Sequence, residues 1–442
     1  MTVITRFAPS PTGTLHVGNL RTALHNWLFA RRHGGKFLLR IDDTDKARSE
    51  ERHVKAIRAD LDWMGMTPDA EERQSARFDR YEARFEELKA AGRVYPAYET
   101  AQELELKRKV LLGRGLPPIY DRSALALSDA ERAKLEAEGI RPHWRFKLDT
   151  TLIEWDDLVR GPQRFDPATM GDPVVRRADG SWLYLLPSVI DDVDMGITHV
   201  VRGEDHVSNT ASQLQMFAAL GAEPPRFAHE ALLTGNEGKL SKRLGSLGVD
   251  HFRDEGIEPQ ALVALLGRLG TSDPVEPFVS AAPLIEGFDF GRFGRAPARF
   301  DEAELAGLNA KIVHQLHHDA VLARLPEGVT AAAWEAIRPN LSTVAEAADW
   351  WSVIEGPIET EIADEDRGFL AEAAGAAETL DWSADPWSQL TGALKHATGR
   401  KGRALFLPLR LALTGRDHGP DMAALLPLIG KDRTLDRLRP TS

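Results

Sequence analysis

The chain contains no cysteine in its 442 residues. Disulfide bonds, thiolate metal sites and cysteine nucleophiles are therefore excluded. No apolar run approaches the roughly 18 residues that a membrane-spanning helix requires, and the segment Met1 to Arg6 shows no signal-peptide pattern. The histidines include no His-x-x-x-His pair with a helical glutamate, so this zinc-site pattern is also absent. We therefore expect a cytoplasmic protein with no protein-held metal site.

The chain also lacks an excess of positive charge. Its 55 Lys and Arg residues stand against 67 Asp and Glu residues, which gives a net charge of −12. Such a charge argues against indiscriminate nucleic-acid binding. The balance reverses after Lys395, whereas residues 335–385 are strongly acidic. Two interpretations stay open for the basic end: a solvated helix surface, or a surface that faces RNA.

The first hundred residues predict a βαβ unit. Val3 to Ala8 has the pattern of a buried strand, Pro9 to Gly13 that of a turn, and Lys36 to Ile41 that of a second strand. Between the two strands, apolar residues recur at helical spacing at Leu20, Leu24, Trp27 and Leu28. A βαβ unit implies a parallel sheet with a right-handed crossover. Further helices are expected around residues 49–64 and 77–91.

Later segments differ in character. Residues 95–189 combine charged helical pieces with polar strands, which indicates an insertion. The α/β pattern resumes at residues 188–192, with a strand over 197–201 and a helix over 209–220. After Asp250 the pattern is mostly helical. At this length we expect two to four domains, and the fold class is α/β with an inserted α+β domain and an all-helical C-terminal half.

The segment SPTGTLHVGN, Ser10 to Asn19, predicts a phosphate-binding helix start. The first turn of a helix presents unpaired N–H groups and a partial positive charge. Gly13 allows a tight turn, Gly18 leaves room for a flat base, and His16 can donate hydrogen bonds to phosphate oxygens. The alternative is an ordinary capped helix.

A basic segment, KLSKR at Lys239 to Arg243, begins 223 residues after His16. Either Lys239 or Lys242 could reach a polyphosphate as a point charge. The alternative is a solvated basic loop.

Four side chains are predicted at or just beyond the ends of parallel strands, where ligands of open α/β sheets bind. They are Arg6, Asp42, Tyr184 and Arg202. Two guanidinium groups and one carboxylate would suit a small zwitterion. Surface ion pairs are the alternative for the single residues, and helix capping is the alternative for Asp42 with its acidic neighbours.

These residues resemble the class I aminoacyl-tRNA synthetases, and among them the bacterial glutamyl-tRNA synthetases. The sequence HVGN at His16 to Asn19 stands where that class has its HIGH signature, and KLSKR stands where it has KMSKS. More specific matches are RFAPSPTG at 6–13, RIDDTD at 40–45, MGITHVVRGEDH at 195–206, and the segments 407–415 and 419–420. The resemblance covers essentially the whole chain.

The resemblance implies a role for each matching position. Glutamate would contact Arg6, Ala8, Ser10, Asp42, Tyr184 and Arg202, with Asp42 on the α-ammonium group. ATP, with Mg²⁺, would contact Thr12, His16, Gly18, Asn19, Asp205, Lys239 and Lys242, of which His16 and Lys242 would be catalytic. Glutamate would be activated to glutamyl-adenylate and then transferred to the 2′-hydroxyl of the terminal adenosine of tRNA-Glu. Because a carboxylate is already nucleophilic, such a site needs positioning and charge neutralisation rather than a general base.

The sequence departs from the family at two places. Asp42 is one methylene shorter than the Glu that many relatives have, so its contact with the ammonium could pass through water. Many bacterial relatives carry a zinc knuckle in the insertion, but here Ala97, Glu99 and Ala124 stand about where its cysteines would, beside Tyr120. We therefore expect no zinc.

The resemblance also implies a domain order and a monomer that binds tRNA and no membrane. The expected parts are a split Rossmann-like catalytic domain (1–95 and 188–250), an acceptor-stem-binding insertion (96–187), a helical stem-contact region (251–315) and a helical anticodon-binding domain (316–442). Three alternatives stay open: an enzyme that charges both tRNA-Glu and tRNA-Gln, one specific for tRNA-Gln, and a non-catalytic tRNA-binding paralogue.

Overall fold

The computed structural model describes residues 2–235, 238–239 and 248–439. The chain forms two compact units. One lies within Met1–Phe252, Leu262–Glu276 and Ser280–Asp301, and the other within Arg253–Ala261, Pro277–Val279 and Glu302–Ser442. Within the described residues, no helix is long and apolar enough to cross a membrane.

The first unit begins with a parallel three-stranded sheet. Its elements are β1 (Ile4–Phe7), α1 (Val17–Arg32), β2 (Lys36–Ile41), α2 (Glu51–Trp63), β3 (Ala70–Arg73) and α3 (Phe78–Ala90). Strand β2 pairs in parallel with β1 on one side and with β3 on the other. Helix α1 crosses from β1 to β2 and buries Leu20, Leu24 and Leu28, the apolar positions that predict it. The predicted βαβ unit is therefore confirmed.

The predicted insertion is built from short antiparallel strands and two exposed helices. Its elements are β4 (Val94–Ala97), α4 (Ala101–Gly113), α5 (Asp129–Ala137), β5 (His143–Phe146), β6 (Ile153–Asp157), β7 (Gly161–Phe165) and β8 (Val174–Arg176). Strand β5 lies between β4 and β8, and β6 pairs with β7. The capping boxes Thr100–Glu103 and Ser128–Glu131 fix the starts of α4 and α5.

The parallel part of the first unit then resumes. Its elements are α6 (Leu185–Asp194), β9 (His199–Gly203), α7 (Val207–Ala219), β10 (Arg226–Glu230), β11 (Leu233–Gly235), β12 (Gly238–Lys239), α8 (Val249–Asp254), α9 (Pro259–Arg268), α10 (Ala282–Glu286) and β13 (Ala298–Arg299). Of these elements, the end of α8 and the start of α9 fall in Arg253–Ala261, which belongs to the second unit. Strands β9 and β10 are parallel. Two hydrogen bonds between Ile4 and Thr198, of 2.8 and 2.9 Å, join the start of β1 to the residue before β9. The two halves thus form one layered α/β core.

The second unit is helical. Its helices are α11 (Glu302–Val313), α12 (His318–Val321), α13 (Ala331–Ile337), α14 (Ala347–Glu355), α15 (Asp364–Glu378), α16 (Pro386–Thr398), α17 (Arg403–Thr414), α18 (Met422–Ile429) and α19 (Lys431–Leu438). Trp334 is fully buried, and its indole N–H donates to the carbonyl of Leu316 at 2.9 Å. The expected fold class, a parallel α/β part with an insertion and a helical C-terminal half, is confirmed.

Several arginines of the basic C-terminal end form ion pairs with carboxylates of this helical unit. Arg400 pairs with Asp366, Arg433 with Glu355, and Arg439 with Glu378. Exposed Lys401 and Arg403 form no ion pair with the part of the chain that the structure describes. Some arginines of the basic end thus pair within the helical unit, which neither interpretation of the sequence includes, and an RNA-facing role for the others stays a prediction.

Candidate active site

A cavity of about 690 Å³ opens at the ends of the parallel strands. We call it the strand-end cavity. It brings together residues predicted from four separate parts of the sequence: Arg6, Ala8, Ser10, Thr12, His16, Gly18, Asn19, Asp42, Tyr184, Arg202 and Asp205. Two predicted residues are not part of this description. Lys242 lies outside the described residues, and of Lys239 the structure describes the backbone, in β12.

His16 caps helix α1 with one ring nitrogen, Nδ1, and its other ring nitrogen, Nε2, takes no part in the cap. Its Nδ1 accepts hydrogen bonds from the backbone N–H groups of Gly18 at 3.1 Å and Asn19 at 3.4 Å. Because burial lowers the pKa of His16, the ring is neutral at pH 7 and its proton is on Nε2. The two interpretations of this segment, a capped helix and a hydrogen-bond donor for phosphate, are therefore compatible, because His16 caps the helix with Nδ1 and can donate from Nε2. His16 can donate from Nε2 at a helix start that already favours anions.

Gly18 leaves room for that ring. A Cβ atom at Gly18 would lie 3.0 Å from Cε1 of His16. A larger residue would therefore make the imidazole shift by a few tenths of an ångström. This is a different reason for glycine from the one that the sequence suggests, which is space for a base.

Two arginines at the cavity floor are neutralised by carboxylates. Arg6 Nε donates to Asp192 at 3.1 Å, and Arg40 Nη1 donates to the same carboxylate at 2.8 Å. Arg40 also donates from Nε to Asp42 at 2.7 Å. All four side chains are at most 10% exposed. These are buried, mutually compensating charges rather than the surface pairs that the sequence leaves open.

Asp42 has an unusual pKa. Burial raises the pKa of its carboxyl to about 6, although Arg40 favours the ionised form through its charge and its hydrogen bond. Asp42 directly follows β2, as predicted. Asp43 acts differently, because it accepts hydrogen bonds from the N–H and the hydroxyl of Ser75, each at 2.7 Å.

Arg202 differs from the other two arginines, because its hydrogen-bond partners are neutral. Nη2 donates to the hydroxyl of Thr210 and, at 2.7 Å, to the side-chain oxygen of Gln213. Nε donates to Nε2 of His229 at 3.3 Å. The side chain is 8% exposed, and burial lowers its pKa to about 10. Within the described residues no carboxylate lies within ion-pair distance, so Arg202 is a buried cation that an anionic ligand would complete.

The predicted location of Tyr184 is wrong. The sequence predicts it at the end of a parallel strand, but it immediately precedes α6. Residues Leu186 to Asp192 of that helix are all buried, and periodicity alone does not distinguish a short buried run in a helix from one in a strand. Tyr184 nevertheless lines the strand-end cavity, where its hydroxyl lies 3.2 Å from Nδ1 of His206. Burial raises the pKa of Tyr184, so the phenol stays neutral.

Sequence reasoning misses several residues that support the site. They are Asp157, Ser188, Asp192, Thr210, Gln213 and His229. The spacing of Thr210 and Gln213, three positions apart on α7, places them on one helix face and is a signal that could have been used. The other members are separated from Arg6 or Arg202 by long stretches of chain, so no local pattern reveals them.

Comparison with known families agrees with this geometry. The family model "tRNA synthetases class I (E and Q), catalytic domain" matches residues 2–306, and the model "Anticodon binding domain" matches residues 310–441. Glutamate–tRNA ligase 1 of Rhizorhabdus wittichii is 70% identical over 438 residues, which are 99% of each chain. The chain belongs to the glutamate–tRNA ligase family. Its expected enzyme class, a class I aminoacyl-tRNA synthetase that acts as a glutamate–tRNA ligase, is confirmed.

Other members of the glutamate–tRNA ligase family are similar over the same length. Glutamate–tRNA ligase 2 of Erythrobacter litoralis is 68% identical over 98% of each chain. A crystal structure of a glutamate tRNA ligase from Elizabethkingia meningosepticum, in complex with its amino acid, has a TM-score of 0.88 and 29% identity, and the match covers 99% of this chain and 98% of that one.

Where many members of the ligase family are expected to hold zinc, this chain has a hydrogen-bonded cluster. The hydroxyl of Tyr120 donates to Glu99 at 2.7 Å and accepts from the N–H of Ala124 at 3.2 Å. Ser123 donates to the same Glu99 oxygen at 2.9 Å. Among the described residues, no group of three His, Cys, Asp or Glu could hold a metal ion. The absence of zinc from the protein stays a prediction.

Proposed function

We propose that the strand-end cavity binds L-glutamate and ATP side by side and forms glutamyl-adenylate, from which glutamate passes to the terminal adenosine of tRNA-Glu. The observation that carries this proposal is Arg202, a buried guanidinium whose partners among the described residues are neutral. The γ-carboxylate of glutamate would supply the missing anion. Glutamine would offer a neutral amide instead and leave the desolvated charge uncompensated, which disfavours it strongly.

The ammonium end of glutamate has a matching group. The carboxylate of Asp42 lines the cavity and is ionised above about pH 6. It is already held by Arg40, so its remaining oxygen lone pairs are available to an ammonium donor in a fixed direction. We assign Arg6, Ala8, Ser10 and Tyr184 to the same pocket, because they line the same cavity as Asp42 and Arg202.

The nucleotide would lie at the start of α1. Thr12, Gly18, Asn19 and Asp205 line the cavity that this helix start borders. Nε2 of His16 points its proton away from the helix backbone that occupies Nδ1, and it can donate to a phosphate oxygen. Mg²⁺ carried with ATP would supply further charge neutralisation. By family resemblance, Lys239 and Lys242 would approach the phosphates from the second motif.

The chemical work of these residues is alignment and charge stabilisation. The α-carboxylate of glutamate attacks the α-phosphorus, the bond to pyrophosphate breaks, and charge moves onto the leaving group. Donors fixed before the reaction, such as His16 and the α1 amide groups, stabilise that charge without reorganisation. The cation Arg202 and the anion Asp42 hold the amino acid in line for attack.

The test is aminoacylation with labelled glutamate on tRNA-Glu and tRNA-Gln transcripts, assayed separately. We expect tRNA-Glu to be charged. Charging of tRNA-Gln as well would make the enzyme non-discriminating, and charging of tRNA-Gln alone would replace the proposed tRNA specificity. A folded protein that charges neither transcript would be a non-catalytic paralogue. We further propose that the enzyme acts in the cytoplasm and that it is a monomer. Size-exclusion chromatography with light scattering would test the monomeric state.

A further inference from the structure

Behind Arg202 lies a buried histidine–aspartate pair that does not line the strand-end cavity. Asp157 ends strand β6, His229 lies in β10, and Arg202 lies in β9. Nδ1 of His229 is 2.5 Å from a carboxylate oxygen of Asp157, and both side chains are fully buried. Nε2 of the same ring faces Arg202 at 3.3 Å and the hydroxyl of Thr210 at 2.8 Å.

The surroundings of Asp157 determine where the histidine proton is. One carboxylate oxygen accepts three backbone N–H groups, from Val159 at 3.1 Å, Arg160 at 3.0 Å and His229 at 3.1 Å. Burial alone would raise the pKa of Asp157, but the hydrogen bonds that its carboxylate accepts, from the ring of His229 and from backbone N–H groups, leave that pKa below its usual value. The ionised carboxylate can only accept, so Nδ1 of His229 must carry the proton.

The opposite ring nitrogen is consequently an acceptor. Burial lowers the pKa of His229, which keeps the imidazole neutral at pH 7 and leaves Nε2 without a proton. Nε2 can then accept from the Nε–H of Arg202 and from the hydroxyl of Thr210. Phe227 lies nearly parallel to the imidazole, with an angle of 10° between the rings. The ring is thus held in one orientation.

We infer that Asp157 and His229 are positioning residues for glutamate recognition, because together they present Nε2 as the acceptor that orients the guanidinium of Arg202. With Nε held by His229, and Nη2 held by Thr210 and Gln213, Nη1 is the guanidinium nitrogen without a hydrogen-bond partner among the described residues. This is the nitrogen left for a substrate carboxylate. The inference rests on the proposed role of Arg202 in binding glutamate.

The substitution Asp157→Asn tests the inference with little change in shape. The amide oxygen can still accept the three backbone N–H groups, but the amide nitrogen then faces Nδ1 of His229 as a donor. His229 would shift its proton to Nε2, where it would oppose the Nε–H of Arg202. We expect KM for glutamate to rise about ten- to hundredfold, since one charge-assisted hydrogen bond is replaced by a conflict between two donors. KM for ATP should stay unchanged, measured by ATP–pyrophosphate exchange with tRNA-Glu present.

A second substitution separates positioning from general damage. In His229→Gln the side-chain amide can turn its oxygen toward Arg202 whatever residue 157 presents. Asp157→Asn should therefore add little further effect in the His229→Gln background, and a double-mutant cycle measures this. If the two effects on KM for glutamate simply add, or if KM for ATP rises equally, the inference is wrong.

Two controls test the histidine tautomer and the proposed glutamate pocket separately. In the wild-type protein, ¹⁵N-histidine NMR, assigned with His229→Gln, should show a proton on Nδ1 of His229; a proton on Nε2 would overturn the inference even if Asp157→Asn does not fold. Arg202→Ala tests the proposed function itself. Loss of glutamate binding in Arg202→Ala with unchanged binding in Asp157→Asn would reject the positioning role alone, whereas unchanged binding in Arg202→Ala would reject the proposed pocket.

Discussion

At the scale of single residues, three of the buried arginines of the first unit differ in their partners. Arg6 and Arg40 face the carboxylate of Asp192, whereas Arg202 faces a hydroxyl, an amide oxygen and an imidazole. A buried cation is costly without a counter-ion. This asymmetry makes Arg202 the residue most suited to select an anionic side chain.

Arg202→Ala should therefore weaken the binding of glutamate far more than the binding of ATP. Truncation of one member of a buried, hydrogen-bonded charge pair costs about 2–5 kcal/mol, so we expect KM for glutamate to rise roughly thirty- to several-thousandfold. Arg48→Ala is the matched control, since Arg48 is exposed and pairs with Asp45 at the surface. Steady-state kinetics with each substrate varied measures both; an equal rise in both KM values for Arg202→Ala would indicate misfolding or a different pocket.

His16→Asn should separate helix capping from chemistry. An asparagine oxygen can still accept from the N–H groups that His16 now caps, and Asn is a favourable capping residue. The Nε2–H donor is lost, so kcat should fall about a hundred- to thousandfold, as for other fixed donors to developing charge. Thermal unfolding should remain near that of the wild type. Wild-type turnover in this variant would remove His16 from the mechanism.

Asp42 should make glutamate binding depend on pH. Its carboxyl has a pKa of about 6, so it is an anion above that pH and neutral below it. The glutamate ammonium does not titrate in this range, so affinity should decrease as pH falls through 6, by about tenfold per unit at the limit. Asp42→Asn should bind glutamate weakly with no such dependence. KM for glutamate measured from pH 5 to 8 decides between a carboxylate contact and none.

At the scale of elements, the capped start of α1 and the ion pairs of Asp192 with Arg6 and Arg40 position the residues of the cavity. The histidine cap begins α1 at the cavity edge, and Gly18 allows the imidazole to fold over that start. Helix α6 then brings Asp192 under β1 and β2. In the insertion, the hydrogen bonds of the Tyr120–Glu99 cluster join the chain after β4 to the following loops.

Tyr120→Phe should destabilise this insertion. The hydroxyl is both a donor to Glu99 and an acceptor for the N–H of Ala124, and loss of such a part-buried contact costs about 1–3 kcal/mol. Arg108→Ala, at an exposed i,i+3 pair, should change the free energy of unfolding by much less. Urea unfolding measures the free energy of unfolding of both variants.

Metal analysis of the wild type should find no stoichiometric zinc, and stoichiometric zinc would contradict the predicted metal-free insertion.

At the scale of the whole molecule, an acidic chain must still bind a polyanion. The net charge is −12, so binding depends on local basic surfaces. Exposed Lys401 and Arg403 in the helical unit make no ion pair with the described part of the chain. Arg433 and Arg439, in contrast, pair with Glu355 and Glu378 and contribute to structure.

The double variant Lys401→Ala, Arg403→Ala should weaken the binding of tRNA and leave the binding of glutamate unchanged. Each lost phosphate contact should reduce the slope of log affinity against log salt by about one. Arg367→Ala removes the same kind of charge from the acidic part of the unit, where Arg367 pairs with Asp364. Filter binding of tRNA-Glu across salt concentrations tests this; an effect of Arg367→Ala half as large as that of the double variant, which removes two charges, would make the contribution one of net charge alone.

The sequence by itself determined the family, the fold class and most residues of the strand-end cavity, because these depend on contiguous motifs and on apolar periodicity. The tertiary structure decided which charges meet. Arg6 and Asp192 are 186 positions apart, and Asp157 and His229 are 72 apart. Their pairing depends on how α6, β6 and β10 pack around β1 and β9, which no local spacing records. For the same reason the sequence suggested an ordinary strand end at Tyr184, where packing produced the start of a helix.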